Sequence, residues 1–154
     1  MKFVDSRTKQ LNYAEILHAY HENIANKDER IKDFSVWMTT LAAAIASQNM
    51  TGAIIGNTVF YHSNGKSNSP DMVMLWALNA DTMQNAVDNL AEMVNRLIES
   101  EVRVIVSIYD SPAMSRIIRQ AAQKINTPGD ELVISKLPSG KYIAQFTIGE
   151  VENV

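Results

Sequence analysis

Residues 72–124 hold two strand-then-helix units in direct succession, and no glycine lies anywhere between Gly65 and Gly129. Residues 72–78 form an apolar run of strand length, and residues 82–100 follow as a long helix. In that helix Met83, Ala86, Val87, Leu90, Val94, Leu97 and Ile98 make one continuous apolar stripe, the mark of a helix laid on a sheet. Asp81 and Gln84 read as its capping pair, and Asn85, Asp88, Asn89, Glu92 and Arg96 as its polar face. Residues 102–109 form the next strand, with Val102, Val104, Val106 and Ile108 on one parity. Ser111-Pro112 then starts a helix that should end near Lys124, before Thr127-Pro128-Gly129.

The flanks complete a sheet. Residues 1–4 can form a short first strand. Asn12 with Glu15 is a capping box for a helix to about Asn26, and a second helix spans roughly 34–48 with Phe34, Trp37, Met38, Leu41 and Ile45 on its apolar face. Gly56-Asn57 between β-formers is a hairpin turn, and residues 63–70 form a polar, mobile loop. A second hairpin, residues 131–136 and 141–148 about Pro138-Ser139-Gly140, closes the chain. The expected fold is α+β in one domain over residues 1–154, a mixed central sheet of about six to seven strands with helices on both faces.

Composition excludes several classes. The chain of 154 residues has no cysteine, which removes disulfides, thiolate metal sites and a cysteine nucleophile. A formal charge of −3 argues against nucleic acid as the partner. The N-terminus lacks the apolar core of a signal peptide, and the longest apolar run, residues 41–46, is too short to span a bilayer. The expected protein is soluble and intracellular, without membrane or nucleic-acid contact. Met72 and Met74 read as core, and Trp37 and Trp76 as core or interface anchors.

Few side chains suggest chemistry. His18 and His21 have the spacing to face one metal ion, but no third ligand accompanies them, and no metal is expected. His62, at the end of a hairpin strand, is a candidate general base, with water the simpler surrounding. Asp110 follows the strand at residues 102–109, where open α/β sheets place ligands, and can equally cap the next helix. Arg116, Arg119 and Lys124 place positive charge on that helix.

The order of elements resembles the GNAT superfamily, the acyl-CoA-dependent N-acetyltransferases, over nearly the whole chain. That family places an R/Q-x-x-G-x-G/A loop after its fourth strand, with loop amides holding the pyrophosphate of CoA. The matching residues here, 78–82, have neither the glycines nor the leading Arg or Gln, and Asp81 sets a carboxylate where the anion would lie. The resemblance implies that any CoA contacts come from Leu78, Asn79, Thr82, Met83 and Gln84. Ala113-Met114 look like the family's Ala-Ile pair, its proton-donating tyrosine falls near Ile117, and its Gly-Phe pair near Ala121-Ala122, so Tyr109 is the neighbouring substitute for the acid. Glycine-free chains of this kind also look similar to degenerate GNAT-like proteins of tailed bacteriophages. The expectation is a non-catalytic binding or structural protein with no cofactor, a virion or assembly component with a protein partner or a homo-oligomeric state. Its docking surfaces would be the loop at 63–70, the V-shaped opening between the two central strands and the open sheet edge. The alternative is a CoA-dependent N-acetyltransferase that uses acetyl-CoA at an atypical site.

Overall fold

The computed structural model describes residues 3–24, 32–63, 72–109, 112–125 and 131–148. Its elements are α1 (Tyr13–Ile24), α2 (Phe34–Ser47), β1 (Thr51–Ile55), β2 (Thr58–His62), β3 (Met72–Asn79), α3 (Met83–Glu99), β4 (Val104–Tyr109), α4 (Pro112–Ala122), β5 (Glu131–Lys136) and β6 (Tyr142–Thr147). They build one six-stranded sheet in the order β1-β2-β3-β4-β6-β5, mixed because β3 and β4 run parallel and every other pair antiparallel. The α+β class and helices on both faces agree with the sequence reading. Of the expected first strand, Phe3 and Val4 are described and lie outside the sheet: the Val4 N–H bonds the Ala80 carbonyl at 2.8 Å, at the end of β3. Residues 1–2, the loop from 64 to 70, and Asp110 with Ser111 lie outside the described residues.

Two apolar clusters sit on opposite faces of the sheet. One joins α3 and α4 to Phe60, Val73, Leu75, Ile105, Ala144 and Phe146, and the α3 stripe supplies Val87, Leu90, Val94 and Leu97 to it. Each such side chain contributes roughly 1.5–3 kcal/mol on burial. The other cluster joins α1 and α2 to Val59, Tyr61 and Leu78 through Ile16, Leu17 and Trp37. Both parities of β4 are used: Ile105 lies in the core, while on the parity read as apolar Val106 is buried and Ile108 is 37% exposed. Met72 is likewise 39% exposed rather than core.

Local signals explain the helix ends. The Asn12–Glu15 capping box forms in both directions, each bond 2.9 Å. At α3 the cap is Thr82, one residue later than expected, because the Asp81 carboxylate is committed elsewhere. His18 and His21 serve packing: His18 stacks on Phe34 with centroids 3.8 Å apart, and His21 is buried against Phe34 and Trp37, joining α1 to α2. No helix among the described residues is long and apolar enough to cross a membrane.

Candidate functional site

The parallel strands β3 and β4 pair at only three positions, Met72–Val104, Val73–Ile105 and Met74–Val106. Beyond them β3 continues with β2 and β4 with β6, so the two strands separate toward their C-terminal ends. Strand alternation identifies the groups this leaves open. The Ser63 N–H bonds the Met74 carbonyl at 3.0 Å and the Ala80 N–H bonds the Asn57 carbonyl at 3.0 Å, so even-numbered residues of β3 point their backbone at β2. The Met74–Val106 pair takes the Leu75 N–H onto the Val106 carbonyl, so the C=O of Leu75 and both groups of Ala77 then face the opening. On the other wall the Ile148 N–H bonds the Arg103 carbonyl at 2.8 Å, which turns odd-numbered residues of β4 toward β6 and leaves Ile108 facing the opening. A slot with unpaired strand edges on both sides accepts an extended chain that carries amides of its own.

The turn from β3 into α3 closes the wide end of this slot. Asn79 ties the turn with its side chain: its Oδ1 accepts from the Asp81 N–H at 3.0 Å and from Thr58 Oγ1 at 2.8 Å, and its Nδ2 donates to the Asp81 carbonyl at 3.0 Å. Leu78 is buried in the α1–α2 cluster, so only its backbone lines the turn. Thr82 Oγ1 accepts from the Asn85 N–H at 3.4 Å. Met83 and Gln84 are exposed, and their N–H groups in the first turn have no intrahelical partner. Those two amides, at the positive end of the helix, are what the chain offers an anion.

Asp81 is wholly buried on the underside of this turn. Its Oδ1 accepts from the N–H groups of Ser6 (3.1 Å) and Thr82 (2.9 Å) and from Asn85 Nδ2 (3.0 Å). Its Oδ2 accepts from the Asn57 N–H and from Asn89 Nδ2, both at 3.0 Å. Burial by itself would raise the carboxyl pKa, but hydrogen bonds from Ser6, the Asn57 N–H and Asn85 outweigh it and lower the value to about 2. Asn85 and Asn89 are therefore buried ligands of a carboxylate, not part of a solvated face. Asn57 extends the network, its Nδ2 donating to the carbonyls of Val4 and Lys9. The turn that glycines would shape is held by side chains, and glycine is needed instead at the opposite hairpin. A Cβ on Gly56 (φ +57°) would lie 2.6 Å from Asn89 Nδ2 and 2.8 Å from Asp81 Oδ2. Gly56→Ala is expected to cost about 2–3 kcal/mol in urea unfolding, from the left-handed backbone and the broken contacts together.

Tyr109 ends β4 with its ring stacked on Tyr142, centroids 5.5 Å apart, and its hydroxyl 2.8 Å from Ser115 Oγ on α4. Ile117, where the resemblance put an acid, is buried in the core. His62 lies at the other end of the sheet. It lines a cavity of about 340 Å³ with Val73, Met93, Arg96, Leu97 and Val102, beneath the C-terminal half of α3. Its Nδ1 is 2.9 Å from the Ser63 carbonyl. The structure brings Thr82, Met83, Gln84 and Tyr109 to the open end of the slot and separates His62 from them.

A sheet whose parallel central strands splay before a helix N-terminus is the architecture of the GNAT N-acetyltransferases. The chain is similar to solved aminoglycoside acetyltransferases AAC(6')-Ib. One, in complex with coenzyme A, is 13% identical with a TM-score of 0.53 over 91% of this chain and 92% of that one. A second, with ribostamycin and coenzyme A, is 14% identical with a TM-score of 0.54 over 91% of each chain. A third, with coenzyme A and kanamycin, is 16% identical with a TM-score of 0.55 over 96% of this chain and 92% of that one. No family model and no curated protein sequence matches the chain.

These findings correct two expectations, a non-catalytic role and the absence of a cofactor. The three solved proteins named above are aminoglycoside acetyltransferases in complex with coenzyme A. The carboxylate that argued against an anion site is turned under the helix, where it takes the Thr82 N–H and leaves those of Met83 and Gln84. The open slot and the two exposed first-turn amides fit an acyl-CoA.

Proposed function

We propose that the protein is a CoA-dependent N-acyltransferase, which moves an acyl group from acetyl-CoA to a primary amine. One observation carries the reading: past the last β3–β4 pair, Met74–Val106, the Leu75 carbonyl, the backbone groups of Ala77 and those of Ile108 face the opening between β3 and β4. An amide-bearing arm laid along the slot pairs with those edges as an added strand would. The amides of Met83 and Gln84 would receive the diphosphate at the α3 N-terminus. Bound there, acetyl-CoA supplies the acyl group as a thioester. In the transfer the amine nitrogen bonds the acyl carbon, the C–S bond breaks, the nitrogen gives up a proton to water and the sulfur takes one. In this reading Tyr109 gives the sulfur its proton, and its hydroxyl, 2.8 Å from Ser115 Oγ on α4 at the end of β4, supports that role. The packed core under α3 and α4 keeps water from that face of the slot.

Calorimetry with acetyl-CoA, followed by a thiol-release assay over a panel of primary amines, tests this. Expected are saturable binding at micromolar concentration and amine-dependent thiol release. No heat of binding together with no thiol release would overturn the proposal.

A further inference from the structure

We infer that the amine acceptor is a small primary amine on an aromatic or alkyl body, and not a polycationic sugar. This rests on the acyl-transfer reading above and names the substrate class of the same slot. The described residues on the two faces of the slot differ. On the α3–α4 face Val73, Leu75 and Ile105 are buried under α3, and Ala77 and Tyr109 pack against the same cluster. An acceptor must therefore arrive on the opposite face, which α1 and α2 cover at Val59, Tyr61 and Leu78 of β2 and β3.

On that open face the slot is flanked by Met74 and Trp76 of β3 and by Val106 and Ile108 of β4, and Ile143 of β6 stands directly beside Ile108. None of these five belongs to either apolar cluster. Trp76 and Met74 are half-buried, Val106 is buried, Ile108 is 37% exposed, and Val133 of β5, further along the same face, is 50% exposed. The residues of β3, β4 and β6 that point this way are Met, Trp, Leu, Val, Ile, Gln or Thr, without one charged side chain among them.

The chemistry follows from that list. An aminoglycoside brings several ammonium groups, each of which loses solvation on binding and needs a carboxylate in return. Along the slot itself the described residues of β3, β4 and β6 offer none, and the one acidic strand residue on this face, Glu131, stands on β5 at the far edge of the sheet. The slot offers instead an indole and branched aliphatic side chains in continuity with the point where the acyl carbon would lie, which suits an aryl or alkyl group carrying one amine. Trp76 is the anchor, because it flanks the slot where β3 leaves β4.

The test compares phenethylamine and tryptamine with kanamycin as acceptors of acetyl-CoA, on the wild type, Trp76→Ala and Ile108→Glu. The arylalkyl amines should exceed kanamycin in kcat/KM by at least about tenfold, the discrimination that one good apolar contact provides. Trp76→Ala should raise KM for phenethylamine about tenfold with kcat within about threefold, and Ile108→Glu should narrow the gap to kanamycin. Calorimetry with acetyl-CoA on each variant reports whether the fold and donor site persist. Kanamycin acetylated as well as phenethylamine, or acetyl-CoA bound with no transfer to either arylalkyl amine, overturns this inference and leaves acyltransfer standing. No binding of acetyl-CoA and no transfer to any amine overturns both.

Discussion

Replacing Asp81 with alanine is expected to lower the unfolding free energy by about 3–5 kcal/mol, the cost of removing one partner from a buried, hydrogen-bonded charge. The carboxylate takes hydrogen bonds from three backbone N–H groups and two asparagine amides, drawn from the N-terminal segment, the β1–β2 turn and α3. Alanine leaves those donors facing a void, and each orphaned buried donor costs about 1–3 kcal/mol, less where water can enter. Asp81→Asn keeps the volume but turns an NH₂ toward donors, and an intermediate loss of about 2 kcal/mol is expected. The folded carboxyl titrates at about 2, below the ordinary carboxyl value, so its contribution is full above pH 4 and disappears as the pH falls toward 2. That loss amounts to about 2 kcal/mol. Urea unfolding at pH 6, 4 and 2.5 checks both points. The wild type should lose this increment on acidification and Asp81→Ala should not. Equal stabilities at pH 6 would show that the network does not hold the turn.

Tyr109→Phe is expected to lower kcat by about 10²–10³ with KM for acetyl-CoA little changed, the size of effect general acid catalysis supplies. Phenylalanine keeps the ring on Tyr142 and removes only the hydroxyl that meets Ser115. Ser115→Ala, which loosens the hydroxyl without deleting it, should cost about tenfold or less. A kcat within about threefold of wild type for Tyr109→Phe would take the proton donation away from this residue.

The parts of the fold that were legible in the sequence are those set by local chemistry. The Asn12–Glu15 capping box, the Gly56-Asn57 turn and the apolar stripe of α3 each depend on residues a few positions apart. The site depended on contacts that no spacing reveals. Asn85 and Asn89 occupy positions that alternate with charged residues on α3, so they read as solvated until the β1–β2 turn and the N-terminal segment close over them. Asp81 and Thr82 are both good caps. Which one serves was decided by Asn57, far away in sequence. The strand at 72–79 carries no mark where pairing with β4 stops, because the splay arises from the twist and from where β2 and β6 hold their partners. The absence of glycine misled for the same reason: glycine is one way to shape the turn before α3, and a buried carboxylate with five donors is another.

The central claim, that acetyl-CoA lies between β3 and β4 against the start of α3, is tested most directly by an amide-resolved NMR titration. Shifts should concentrate on the N–H groups of Ala77, Met83, Gln84 and Ile108 and saturate together. Shifts that gather instead around the cavity of His62, Arg96 and Val102, or no saturable shifts at all, would contradict it.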